Sequence, residues 1–409
     1  MSLTLRLAWR NLWRNRRRTL LTIAALAFGT ALVIASMSLR QGAYVALVDQ
    51  AVRLLTGHVQ VQAPDYQREP ILRHDIPHSR ALADELRARV PEYGIAERAI
   101  GFALLASDRQ TLAASLVGVD LAHEARVSAL PERIERGRFL RDGPEPEVVL
   151  GETLARNLEA EVGDRLTMLG TGRDGSLASA ELVIVGVFRS GVPELDRSLA
   201  QMPLSVFQQL FSMNDSAQAL IVRGPAGADP AGVLARVRAA LESRDELVVL
   251  GWDDILPGTR ELIELDFAAS IVFYLALIGV VTLGIFNTFL MSVLERTREF
   301  GVVLALGIAP IQLVRVVVVE TAMLVTLGVA IGSVLGALAD GYFLARGFAI
   351  PGMAEFARGF GLSARLYPVV SAKTLLTGPL LVLGIGFIAA CLPALRIRRL
   401  EPIAAMRSV

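Results

Sequence analysis

The chain has almost no lysine and almost no cysteine. Of its 41 basic residues only Lys373 is a lysine, and the residues just before it, 366–372, contain no glycine. A phosphate-binding loop needs a lysine after its glycines to reach the β- and γ-phosphates of a nucleotide. An ATP-hydrolysing site of that type is therefore excluded from this sequence. The single cysteine, Cys391, lies in an apolar run, so the extramembrane part holds no disulfide and a reactive thiolate has no polar setting. No Gly-x-Ser-x-Gly elbow occurs. The formal net charge of +1 says nothing about partners by itself, and no nucleic-acid partner is expected.

Histidine is scarce as well. All four, His58, His74, His78 and His123, fall in the middle of the chain. His74-Asp75-Ile76-Pro77-His78 could offer metal ligands, but Pro77 disrupts the helix that would put both histidines on one face, and no acidic cluster or cysteine follows. The expectation is no catalytic residue, no metal and no cofactor bound by this chain.

Apolar residues are abundant. They make up 53% of the chain, with a mean hydropathy of +0.50, more than a soluble domain of this length shows. Four runs, 19–39, 267–294, 313–339 and 374–395, are each long enough to span, since a bilayer core needs about 20 apolar residues in a helix. Six arginines and no acid precede the first run. Within 1–18, Arg6, Arg10, Arg14 and Arg17 share one helical stripe and Leu5, Trp9, Leu12 and Trp13 the other, the pattern of an interfacial amphipathic helix. Arginines recur at 296–298 and 396–399. The positive-inside rule then puts both termini in the cytoplasm.

Apolar periodicity continues past the first run, through 40–55, and a shorter mirror stretch, 258–266, leads into the second, so both spans are expected to extend as stalk helices. Between the stalks, 56–257 reads as a domain with its own core. Strand patterns occur at 58–63, 95–107, 110–119, 147–150, 165–169, 182–188, 219–222 and 247–250, and helical ones at 79–90, 152–158, 205–211 and 231–241. This is an α+β domain. The segment 295–312 after the second span is unusual: a charged tip, then a short apolar stretch, then Pro310 where a helix can begin. So apolar a stretch needs a cover, and a partner protein would supply one. In the third span Glu320 sits close to the charged tip and can pair with an arginine, while Gly328, Gly332 and Gly336 make a smooth face for close helix packing. Residues 340–373 form an outer loop and 396–409 an inner tail.

Asn287-Thr288-Phe289-Leu290-Met291-Ser292-Val293-Leu294-Glu295-Arg296-Thr297-Arg298-Glu299-Phe300-Gly301, followed by Ala305-Leu306-Gly307, Glu320 and the three glycines, resembles the signature of FtsX/MacB-type ABC transporter permeases. Within the domain, Gly118-Val119-Asp120, Gly137-Arg138-Phe139-Leu140 and Val162-Gly163-Asp164-Arg165-Leu166 resemble the periplasmic core domain of that family, and Gly57-His58-Val59-Gln60-Val61 is similar to the entry strand of its lipoprotein-releasing (Lol-type) branch.

The resemblance implies an α-helical membrane protein of the bacterial inner membrane. It would have four transmembrane helices and a large α+β periplasmic domain between helices 1 and 2. It also implies a coupling helix that docks on a separate cytoplasmic ATPase pair, the partner that would use ATP and Mg. The docking residues carried over are Glu299, Phe300, Gly301, Val303, Leu304, Ala305, Leu306 and Gly307. Two docking sites on an ATPase pair call for a second permease chain, a copy or a paralogue, packed through the first and second spans. An apolar cleft between the stalks would be lined by Leu47, Ala51, Leu54, Leu262 and Phe267. Three functions fit: extraction of lipoproteins or another amphiphile from membrane lipid, efflux or secretion through a periplasmic adaptor, and transmission of a signal to a periplasmic partner without transport.

Overall fold

The computed structural model describes residues 3–143, 145–225, 227–242, 244, 246–349, 352 and 365–397. The inner tail from 398 onward and most of the outer loop, 353–364, lie outside the described residues. Contacts divide the chain into a helical unit, 1–45 with 263–349 and 365–409, and a second unit centred on 46–262.

The chain opens with α1 (Leu3–Leu12) and α2 (Arg16–Ala51). The single helix expected over 1–18 is thus interrupted at residues 13–15, and Arg14 and Arg17 do not continue the stripe of Arg6 and Arg10. The cause is local: the Thr19 hydroxyl donates to the Leu12 carbonyl at 2.6 Å, satisfying a helix-end acceptor that would otherwise call for another turn. Ala8 and Leu12 are buried, so α1 is packed on the protein as well as amphipathic. After Ala51 the helix widens into a π-turn, Val52–Thr56, and stops at Gly57, whose φ of 65° suits a residue without a Cβ.

The second unit carries β1 (Val59–Gln62), β2 (Ile76–Pro77), β3 (Gly94–Ala106), β4 (Thr111–Val119), β5 (Ile134–Gly137), β6 (Glu147–Gly151), β7 (Arg165–Thr171), β8 (Leu177–Phe188), β9 (Leu199–Pro203), β10 (Ser216–Ala217), β11 (Ala219–Arg223) and β12 (Val248–Gly251). Its helices are α3 (Ser79–Arg89), α4 (Glu124–Val127), α5 (Glu152–Asn157), α6 (Pro193–Ser198), α7 (Leu204–Leu210), α8 (Pro230–Ala240) and α9 (Trp252–Ile255). Strand pairing runs β12-β1-β11-β3-β4-β9-β6-β8-β5, and β7 pairs with both β3 and β8. Six strands, β3-β4-β9-β6-β8-β7, therefore close on themselves, which removes their free edges. Leu105, Leu116, Leu150, Leu166, Met168 and Leu182 are fully buried in the core of this ring. The remaining strands β11, β1 and β12 extend the sheet from β3. Their face is covered by α3 and α8, with Val61, Leu86, Val222 and Val237 fully buried in a second core.

The chain returns through α10 (Pro257–Glu295), α11 (Thr297–Ala305), α12 (Pro310–Arg346) and α13 (Ala372–Ile397). Four helices, α2, α10, α12 and α13, are long and apolar enough to cross a membrane. They share a core that includes Leu26, Val33, Ile285, Phe289, Val325 and Val382. The three glycines of α12 meet α2. A Cβ on Gly328 would lie 2.6 Å from the Leu26 Cβ, one on Gly332 2.6 Å from the Ala27 carbonyl oxygen, and one on Gly336 3.0 Å from the Ile34 Cβ. Only glycine permits this backbone approach.

Candidate functional site

The arginine-bearing end of the helical unit collects most of its charged side chains. α10 stops at Glu295, and α11 starts two residues later. After α11 the chain reverses at Gly307, whose φ of +91° lies in the left-handed region. Pro310 then opens α12 at a position where the missing N–H leaves no bond unmade. This sequence of breaks turns α11 into a separate nine-residue element between two long helices.

Three arginines, in four pairs with carboxylates, tie this corner together. Arg14 donates to both Glu299 oxygens, at 3.1 and 2.9 Å. Arg18 donates to Glu295 at 2.8 Å and to the Ser292 hydroxyl at 3.0 Å. Arg296 donates to Glu320 at 3.2 Å, lies 3.5 Å from Glu299, and covers the Phe300 ring at 5.6 Å. The hydrogen bonds from Arg14 hold the Glu299 carboxyl below the usual carboxylate range, and the same contact raises the Arg14 guanidinium. Arg296 and Glu320 are only 11% and 8% exposed. Breaking a pair so buried costs about 3–5 kcal/mol, whereas an exposed pair such as Arg14–Glu299 contributes about 0–1 kcal/mol. The Glu320 pair therefore fixes the hairpin, and the Arg14 pair links it to the corner between α1 and α2.

Among the residues expected to dock an ATPase, Phe300 and Gly301 are turned inward. Phe300 is 6% exposed in a small core with Val293, Val314 and Val317, because Arg296 caps its outer side and α12 passes beneath it. They position the helix and do not form its outer surface. Val303 and Leu304 are half-buried, and Glu299, Ala305, Leu306 and Gly307 are exposed. The outward edge gains Val302 and Ile308, which sequence reading left out; Leu306 is more open than either, at 77% exposure. No local pattern separates the two faces, because 300–308 is apolar throughout. Beside α11, a hollow of about 580 Å³ is walled by Leu7 and Asn11 of α1, Val303 of α11, and Gln312 and Val316 of α12.

The residues expected to line a cleft part company. Leu47, Leu262 and Phe267 are exposed and Ala51 is half-buried. Leu54 is not available to a cleft: it is 2% exposed and packs with Val117, Leu130 and Phe188 in the domain, since the π-turn rotates it inward. Phe267 carries the Arg40 guanidinium over its ring at 5.3 Å, and Arg40 pairs with Asp266 at 3.1 Å.

The domain has a surface feature that sequence reading missed. Phe102, Leu104, Leu169 and Leu177 are exposed together around a hollow of about 730 Å³ on strands β3, β7 and β8. The signal was present: residues 102–105 of β3 are apolar on both faces, and only one face of a strand can point into the core. Of the histidines, His58 is buried, accepts a hydrogen bond from the Gly224 amide at 3.1 Å, and is pushed below the ordinary imidazole value by that burial. His74, half-buried, and His78, exposed, lie on either side of β2, and no three His, Cys, Asp or Glu side chains among the described residues converge as metal ligands.

Comparison with known proteins agrees with this architecture. The model of the MacB-like periplasmic core domain matches residues 19–240, and that of the FtsX-like permease C-terminal region matches residues 271–402. The lipoprotein-releasing system transmembrane protein LolC of Neisseria meningitidis is 25% identical over 246 residues, covering 58% of each chain. The macrolide export ATP-binding/permease protein MacB of Nitrosomonas europaea is 26% identical over 381 residues, 82% of this chain and 52% of that protein. LolC of Xylella fastidiosa is 25% identical over 421 residues, 94% of this chain and 92% of that one. The chain thus spans about half the length of the first two relatives and nearly all of the third. Two successive family matches, one over α2 and most of the strand-rich domain and one over α11 and the glycine-faced α12, place the chain in the family of FtsX-like permeases that carry a MacB-like periplasmic core domain.

Proposed function

We propose that this chain is the transmembrane permease of an ABC transporter of the inner membrane, with both termini cytoplasmic and the strand-rich domain periplasmic. ATP and Mg are used by an ATPase that docks on α11, and the motion is spent on extracting lipoproteins or another amphiphile from the membrane, with a second permease chain completing the unit. The observation that carries the reading is α11 itself: a short helix held by contacts of Glu299 with Arg14 and Arg296 and by the buried Phe300, with Val302, Ala305 and, just after its end, Leu306 uncovered. Apolar residues of this kind act as anchors when a partner buries them. The full-length match to a lipoprotein-releasing relative supports the substrate class.

A photocrosslinker at Leu306 should form an adduct with an ATP-binding protein, and adducts with lipid alone would sink the docking. Crosslinkers placed singly at Leu47 and Phe267 address the substrate: lipoprotein adducts support extraction, and adducts only with another permease chain remove it. Orientation is read by a cysteine at the exposed Asp108 in a Cys391→Ala background, which should react with an impermeant thiol reagent from outside intact spheroplasts.

The apolar hollow around Phe102 and Leu177 favours a second reading, in which the domain engages a periplasmic partner, as an efflux adaptor or an activated enzyme. Phe102→Asp with Leu177→Asp would abolish activity under that reading and leave membrane extraction intact under the first.

A further inference from the structure

Gly57-His58-Val59-Gln60-Val61 marks the point where the chain enters the strand-rich domain, and the exit lies beside it. The His58 amide donates to the Val222 carbonyl at 2.8 Å, and the His58 carbonyl accepts from the Trp252 amide at 3.1 Å. Trp252 opens α9, the last element before α10, so the main chain of one residue ties entry to exit. Its side chain adds a third element. The imidazole Nδ1 accepts from the amide of Gly224, the residue after β11, at 3.1 Å. Gly224 is itself closely packed, since a Cβ on it would lie 2.8 Å from Val233 Cγ2 and 3.0 Å from the Ala228 Cβ.

A backbone amide can only donate, so this contact requires a lone pair on Nδ1, whereas an imidazolium carries a proton on both ring nitrogens. A proton on Nδ1 would set two N–H groups against each other. His58 is only 8% exposed, so water cannot replace the lost partner unless the joint opens. Burial and then the charge of Arg223 hold the imidazole below its ordinary value of 6.5, with Asp49 of α2 acting the other way. The carboxylates on the adjoining elements are engaged. Asp49 pairs with Arg53 at 2.8 Å, Asp229 caps α8 through the Gly232 amide, Asp253 lies 3.7 Å from Arg260, and Asp254 accepts from the Gly251 amide.

We infer that His58 is a positioning residue that clamps the entry and the exit of the domain together, and that the clamp holds only while the imidazole is neutral. A proton taken from water breaks the bond to Gly224 and loosens the joint. The sign follows from linkage. With the closed joint resisting the proton, the clamp is at full strength above about pH 6.5 and weakens as pH falls toward the lowered value, by up to about tenfold per pH unit in the ratio of open to closed. The consequence for transport rests on the proposed function: with the domain periplasmic, outside acid would weaken the link between stalks and domain. The clamp itself is tested without an ATPase, so its failure leaves docking on α11 untouched.

Amide hydrogen exchange of the full chain in detergent, read by mass spectrometry at about pH 7.5 and about pH 5 and corrected for intrinsic rates, follows the Gly224 and Trp252 amides. In the unaltered chain both should lose protection at the lower pH, by up to about thirtyfold, while the amides of β3 and β4 keep theirs. His58→Asn offers a side-chain carbonyl to the same amide and does not titrate, so it should restore protection at the higher pH and show no fall at the lower one. His58→Leu has no acceptor and should be poorly protected at both. Protection of these two amides that is independent of pH in the unaltered chain, or that falls equally in His58→Asn, overturns the inference. If His58→Asn loses protection throughout β3 and β4, the unaltered chain decides alone: a fall confined to the joint supports the clamp, and no fall, or one shared by the whole sheet, refutes it.

Discussion

Arg14 and Glu299, 285 positions apart, meet through two hydrogen bonds of 3.1 and 2.9 Å. Both side chains are about half exposed, so the pair contributes about 0–1 kcal/mol to stability. Its geometry matters more: a bidentate fork fixes orientation as well as distance, and it joins α11 to the turn between α1 and α2. Arg14→Gln should therefore leave the melting temperature in detergent nearly unchanged but reduce the response of ATP turnover to substrate in a reconstituted complex. Exchanging the charges, Arg14→Glu with Glu299→Arg, should restore part of that response.

The same contact sets a pH dependence. Arg14 holds the Glu299 carboxyl below its ordinary value of 4.5. A depressed carboxylate contributes stability that is fully present above the ordinary value and is lost as pH falls through the lowered one. The small melting difference between the unaltered chain and Glu299→Gln should thus persist down to about pH 5 and vanish only in more acidic buffer. A difference that grew on acidification would show that Arg14 does not stabilise the charged form.

Phe300 is buried within α11 and Leu306, the residue that follows its last turn, is exposed, so their substitutions should separate cleanly. Leu306→Asp alters a side chain that is 77% exposed; it should detach an ATPase in co-purification and leave the permease folded. Phe300→Ala empties a buried position and should destabilise the helical unit by about 3–5 kcal/mol, seen as a lower melting temperature with or without a partner.

What the sequence made legible follows from periodicity. The four long apolar helices and the strands with strict alternation, such as Arg165-Leu166-Thr167-Met168, are visible because one physical rule, burial of one face, dominates them. β5 and β9 are not visible for the opposite reason. Ile134-Glu135-Arg136-Gly137 has a single apolar residue, and β9 buries a glutamine, Gln201, between apolar neighbours and ends in Pro203. Their pairing is fixed by distant strands. At the candidate site, the residues of α11 were legible and its orientation was not, because which face turns inward depends on tertiary contacts with α12 and with Arg14, the latter 285 positions from Glu299. The Arg14–Glu299 contact itself leaves no trace in local pattern.

The glycines of α12 provide a contrast with those of α10. Gly332→Val would push a side chain into the Ala27 carbonyl and Thr30, which lie 2.6 Å from the new Cβ. The collision is with backbone, which yields little, so a loss of about 1–3 kcal/mol is expected. Gly279→Ala has nothing within 4 Å and should be neutral or slightly stabilising, since alanine is the better helix former. Parallel thermal melts of the two variants in one detergent check this, and equal losses would mean that α2 and α12 do not pack through this face.

The last turn of α2 depends on a buried ion pair. Arg98 of β3 and Glu124 of α4 are each 1% exposed and hydrogen-bonded to one another. Arg98 also donates to the Leu55 carbonyl, the Ser128 hydroxyl donates to the Leu54 carbonyl at 3.0 Å, and the Ala129 amide to the Arg53 carbonyl at 2.8 Å. These are carbonyls of the π-turn Val52–Thr56, which a helix end leaves without partners, so the domain caps the helix that enters it. Glu124→Gln strands a buried guanidinium and should cost about 3–5 kcal/mol. Replacing both residues, Arg98→Met with Glu124→Met, removes the charges together and should cost less, yet it leaves the Leu55 carbonyl bare. Hydrogen exchange then tells the two effects apart: in the double variant the sheet amides of β3 and β4 should keep their protection while the Gly57 amide, bonded to the Val52 carbonyl, should exchange at least tenfold faster. Uniform loss of protection across the sheet would instead make the pair a core element with no special hold on the helix end.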